Sequence, residues 1–187
     1  MRVVDDIKKL LPAGGEVDAG SVLELVQVFA DTWFSLDAYD RDELVMTGAT
    51  QTEVILTGDE LTSALRIFRD TLMEQGEATE LFGQERDKGS ISSIVSNVFQ
   101  SIGEEDAYPS IEEKAANLLY FIVKNHPFVD GNKRSGAYAF VWFLKNAGIL
   151  DTTKITPPAL TALTLLLAES NPQHKSRMIG LILQILK

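Results

Sequence analysis

Nine consecutive residues, His126-Pro127-Phe128-Val129-Asp130-Gly131-Asn132-Lys133-Arg134, constrain this chain more than any other stretch. They carry a possible base, a carboxylate, a glycine, an amide and two cations, and they join two apolar helical segments. Ahead of them, Ser110-Ile111-Glu112-Glu113 is a capping box that predicts a helix start. That helix runs through Ala115, Leu118, Leu119, Phe121 and Ile122 to about Asn125, and its wide apolar face predicts a buried central element. Behind them, Asn132 or Lys133 opens a second helix containing Tyr138, Phe140, Val141, Trp142, Phe143 and Leu144, which Gly148 ends.

This layout suits phosphate chemistry. The first turn of a helix leaves backbone N–H groups unpaired and carries partial positive charge. Gly131 allows a sharp turn and a close approach to a ligand, so an anion is favoured just before Asn132 and Lys133. Asn132 can donate a side-chain hydrogen bond to a phosphate oxygen. Lys133 and Arg134 add charge, Arg134 with a bidentate fork. Two cations at a helix start are locally unfavourable unless an anion joins them. Asp130 beside a polyphosphate reads as a magnesium ligand, because magnesium takes one or two carboxylates plus phosphate oxygens. His126 can take the proton of an attacking hydroxyl as general base. Phe128 reads as a core anchor for the loop.

The rest of the chain is mostly helical, with one or two short β elements. Val3, Val4, Ile7, Leu10 and Leu11 predict a short helix ended near Pro12. A second begins after Ser21, with Val22, Leu25, Val26, Phe29, Trp33 and Phe34 at helical spacing. Leu44-Val45-Met46 and Val54-Ile55-Leu56 flank a polar turn and predict a hairpin. Asp59 reads as the cap of a helix that Gln75-Gly76 stops, and residues 79–89 as a linker or surface loop. Ser90 to Gln100 is amphipathic, and residues 101–108 are acidic and irregular. Pro157-Pro158 starts a helix that Pro172 breaks, and a last helix follows from about His174.

Composition excludes several classes. A formal net charge of −10 over 187 residues argues against a nucleic-acid surface, so the anion site must be a local basic pocket. No cysteine and two histidines make disulfide, thiolate and zinc chemistry poor fits. The apolar runs fall short of a membrane span, and acidic residues follow Met1 too early for a signal peptide. A cytoplasmic protein is the simplest expectation.

The nine-residue run resembles the signature loop of the Fic/Doc family, His-x-Phe-x-Asp/Glu-Gly/Ala-Asn-Gly/Lys-Arg, at every specified position. Tyr108-Pro109-Ser110-Ile111-Glu112-Glu113-Lys114-Ala115-Ala116 is similar to the preceding helix of Doc-like proteins. Leu167-Ala168-Glu169-Ser170-Asn171-Pro172 resembles the C-terminal part of that group, including RhuM-type proteins. The resemblance implies a mainly α, Fic-fold bundle around the helix–loop–helix, with room for a short β-hairpin flap. It places a catalytic domain at residues 88–187, after an N-terminal extension at 1–87. It implies transfer of part of ATP to a protein hydroxyl, with His126 as base, Asp130 holding Mg²⁺, and Gly131, Asn132, Lys133 and Arg134 forming the anion hole. The flap, expected near Val98 to Ile102, would align the target segment by strand addition.

Two positions depart from the members that transfer AMP. Lys133 stands where they have glycine, and Ala137 where they have a second arginine. Lysine at the first position goes with the Doc branch, which transfers the terminal phosphate. Phosphorylation is therefore the first expectation. AMP transfer and a non-catalytic nucleotide- or partner-binding module are the alternatives. The family's inhibitory pattern, Ser/Thr-x-x-x-Glu-Gly/Asn, is not met: Ser101 has Glu105 four residues on, but Asp106 follows. A separate antitoxin-like chain or residues 1–87 would then supply any inhibition. The resemblance also points to the translation machinery as a class of target.

Overall fold

The computed structural model describes Glu24, Val26, Gln27 and residues 30–187. The chain divides into two compact units, Met1–Glu43 and Leu44–Lys187. In the first unit, α1 (Ala30–Arg41) is the described part of the helix expected after Ser21, and its Phe34 is exposed. The helix expected at Val3 to Leu11 lies outside the described residues. No helix among the described residues is long and apolar enough to cross a membrane.

The second unit opens with residues 44–56, which form no strand, contrary to the hairpin expected there. Their polar groups go elsewhere. The Thr50 N–H and hydroxyl both donate to the Glu112 carboxylate, at 3.1 and 2.7 Å, and the Thr50 carbonyl accepts from the Ile111 N–H. Leu44 and Leu56 are buried. The segment is thus laid along the start of the central helix rather than folded on itself.

Helix α2 (Gly58–Glu74) is capped by Thr57, not by Asp59 as the sequence suggested. Thr57 and Glu60 form a reciprocal capping box, which satisfies two donors where Asp59 would satisfy one. Its end is a Schellman turn, with Gly76 at φ 72°. Helix α3 (Ser90–Val98) buries Ile91, Ile94, Val95 and Val98, as its spacing predicts. A two-stranded antiparallel hairpin follows, β1 (Ser101–Ile102) with β2 (Glu105–Asp106), turning at Gly103. The hairpin overlaps the flap expected at Val98 to Ile102 only at Ser101 and Ile102, since Val98 closes α3, and it lies in a stretch that composition alone reads as irregular.

Helix α4 (Ile111–Asn125) is the centre of the unit and is buried on most of its surface. The predicted capping box is present, with Ser110 and Glu113 exchanging hydrogen bonds. Helix α5 (Asn132–Asn146) packs chiefly against α4. Its C-terminus is a second Schellman turn, in which Gly148 donates to Lys145 and Ile149 to Leu144. Helix α6 (Pro157–Glu169), a 3-10 turn (Pro172–His174) and α7 (Lys175–Leu186) complete the chain. The mainly α class and the central helix–loop–helix are as expected.

One core unites these elements. Leu61 and Leu65 of α2 share it with Ile91 and Val98 of α3, Leu118 and Leu119 of α4, Phe140 and Phe143 of α5, and Ile182 of α7. The domain boundary expected between residues 87 and 88 therefore falls inside a compact unit that begins at Leu44.

Candidate active site

Helix α4 ends at His126, whose backbone is left-handed at φ 50° and ψ 55°. A non-glycine residue is strained there by about 1–2 kcal/mol. The next six residues of the loop hold this turn in place. Pro127 and Phe128 are buried, while the His126 side chain is exposed. The Phe128 N–H donates to the Asn132 side-chain oxygen at 2.8 Å, and the Asn132 amide donates back to the Phe128 carbonyl at 2.9 Å. The loop is closed by this pair. Asn132 is buried, and its carboxamide oxygen and one amide N–H are taken up by the loop.

A strap across the loop does the rest. The segment 79–89, read from sequence as a linker or surface loop, is paired with the motif itself. Phe82 bridges to Asp130 and Glu85 to Phe128. Gly83 donates to the Asp130 carbonyl, Val129 to Gln84 and Arg86 to Pro127, at 3.1, 2.8 and 2.8 Å. The Arg86 Nε donates to the Phe128 carbonyl at 3.0 Å. Phe82 is fully buried and sits directly beneath Gly131. Its ring meets Phe68 edge-on, at 5.9 Å between centroids. Arg134 stacks over the same ring at 4.3 Å and donates to the Glu77 carbonyl at 2.9 Å. The signal for this strap was Phe82, an aromatic isolated in a polar run.

All six site residues expected from sequence line one cleft of about 420 Å³: His126, Asp130, Gly131, Asn132, Lys133 and Arg134. Arg86 joins them from the strap, a residue that the sequence reading missed. A second cleft of about 360 Å³ adjoins, walled by Ser90, Ser93 and Asn97 of α3. Arg86 and His126 line both. Gly131, at φ 84°, begins α5 without a side-chain cap, and no acidic residue lies in the first turn. The amide donors and the positive end of the dipole thus face the cleft. His174, the other histidine, is exposed and outside it.

Asp130 accepts from the Gly131 N–H at 2.7 Å, and its second oxygen stands 4.0 Å from Arg134. Among the described residues there is no cluster of three or more acidic or histidine ligands. One partly exposed carboxylate fits a magnesium ion brought in on phosphate oxygens, and does not fit an all-protein metal cage.

Residues 60–144 match the model of the Fic/DOC family. This stretch is a Fic/DOC region. It begins in α2 and so takes in the strap as well as the motif. A Toxin Doc from Mycolicibacterium smegmatis is 42% identical over 65 residues, 34% of this chain and 49% of that protein. The chain thus spans about half the length of this curated relative. No solved structure matches the chain.

Proposed function

We propose that this chain is a Fic/DOC-type transferase, which moves the terminal phosphate of Mg²⁺-bound ATP to a protein hydroxyl. The observation that carries the reading is the cleft, where an uncapped helix start with Lys133 and Arg134 faces His126 on the rim. In the step, the acceptor hydroxyl oxygen bonds to the γ-phosphorus. The bond from that phosphorus to the β–γ bridging oxygen breaks and ADP leaves. His126 takes the hydroxyl proton. The N–H groups of the first turn of α5, with Lys133 and Arg134, bind the charge on the phosphate oxygens. Asp130 is the carboxylate that would hold a magnesium ion, which would supply neutralising charge to the phosphate oxygens.

Lys133 supports terminal-phosphate transfer. Its side chain occupies room that a glycine would leave for an α-phosphate. The relative named a toxin supports a toxin-type role; the cytoplasm, a separate antitoxin-like inhibitor and the translation machinery as target class are what the family resemblance implies. The test is a transfer assay in a lysate of the source cells with magnesium, using ATP labelled at the γ- or the α-phosphate, with wild type and His126→Ala. The reading expects a protein band from γ-label alone, absent with His126→Ala. An α-label band would mean AMP transfer. Bands indifferent to His126, or none from either label, would contradict the reading and favour a binding module.

A further inference from the structure

We propose that Arg86 is a phosphate-binding residue of this site, presented by the strap opposite the N-terminus of α5. The inference rests on the transferase reading and adds a group from outside the motif. Two bonds fix the residue on the motif loop: its backbone N–H to the Pro127 carbonyl and its Nε to the Phe128 carbonyl. A guanidinium has five N–H donors in a planar fork. Among the described residues, the Phe128 bond is the only one its side chain makes, so the two Nη groups keep their four donors. The side chain is exposed and lines both clefts, a placement shared only with His126 among their described lining residues. Arg86 therefore stands where the two clefts meet, as the proposed base does.

Charge points the same way. The motif cleft is lined by Arg86, Lys133 and Arg134 against a single carboxylate, Asp130, in a chain whose net charge is −10. Three cations around one carboxylate repel unless an anion joins them. The nearby acidic residues do not relieve this. Glu85 is turned to the Gly89 N–H, and Asp87 lines the adjoining cleft without an ion pair to Arg86. Arg134 gives one Nη1 donor to the Glu77 carbonyl and rests on the Phe82 ring. Arg86 keeps both Nη groups, a bidentate face of the geometry that matches two phosphate oxygens.

A purely structural role would need only Nε. Arg86→Gln tests this directly, because the glutamine amide nitrogen sits at the same place along the side chain as Nε. It keeps a donor for Phe128 and removes the fork and the charge. Binding of magnesium tripolyphosphate and of adenosine would be measured by calorimetry on the full chain, for wild type, Arg86→Gln and Arg86→Ala, with Tm recorded without ligand. Both variants are expected to weaken tripolyphosphate by at least about tenfold, the scale of a lost charged hydrogen bond. Adenosine binding should be unchanged, and Arg86→Gln should keep the wild-type Tm. Wild-type tripolyphosphate affinity in Arg86→Gln would overturn the proposal and leave Arg86 as a pin for the strap. A wild-type protein that fails to bind tripolyphosphate would overturn the transferase reading itself, and does so before any substitution is made.

Discussion

Gly131 and Phe82 decide the shape of the phosphate cleft between them. A Cβ on Gly131 would stand 2.2 Å from the Phe82 ring, and the backbone there is left-handed at φ 84°. Gly131→Ala should therefore lower stability by about 1–3 kcal/mol and weaken ATP binding, read as Tm and by calorimetry. Unchanged values for both would mean that the strap yields easily. Phe82 has a second task, because Arg134 rests on its ring. Phe82→Leu keeps an apolar side chain under Gly131 and removes the aromatic face. Transfer should then fall further than Tm would explain, and equal losses would reduce Phe82 to packing. The motif residues themselves were legible in the sequence, since a helix start, a glycine and two cations lie within nine positions. Their strap was not. Arg86 and Phe128 are 42 residues apart, and although Phe82 stands out in its polar segment, nothing local records which residues it and its neighbours pair with.

At the scale of elements, reading succeeded where the interaction is short in sequence. The Ser110–Glu113 box spans three residues and was visible. The Leu44–Leu56 hairpin failed because Glu112, 62 residues from Thr50, takes that segment's donors. The hairpin at Ser101–Asp106 was missed by composition because exposed residues give it no apolar pattern. It is tied to α4 by Lys114, which is buried and meets Asp106 at 2.6 Å. That hydrogen bond, and then one from Ser101, holds the Asp106 carboxyl below its usual range. A carboxyl held low in the folded state contributes stability above its unfolded pKa and loses it as pH falls through the folded value. The hairpin should therefore stay docked at neutral pH and loosen in acid, below the ordinary carboxylate range of about 4. Amide exchange at residues 101–106 would follow this. Protection that persists in acid to the same extent in Asp106→Asn and wild type would remove the ion pair from the account.

Over the whole molecule, a chain of net charge −10 carries a basic cleft at the motif, and the fold that builds this cleft is larger than the motif suggests. Leu61, Leu65 and the strap residues Phe82 to Arg86 all precede residue 88 yet hold the core and the loop. Residues 44–187 should fold cooperatively when expressed by themselves, whereas residues 88–187 should not, because they lose α2 and Phe82 together. Thermal unfolding of the two fragments checks this, and a cooperative transition for 88–187 would restore the boundary read from sequence. The central claim is that a polyphosphate sits on the start of α5 with its transferable end beside His126. A crystal structure with magnesium and a non-hydrolysable ATP analogue tests it most directly. The account predicts the β- and γ-phosphates against the backbone N–H groups of Lys133 and Arg134, with the γ-phosphorus facing His126. An α-phosphate beside His126, or a nucleotide bound away from α5, would contradict it.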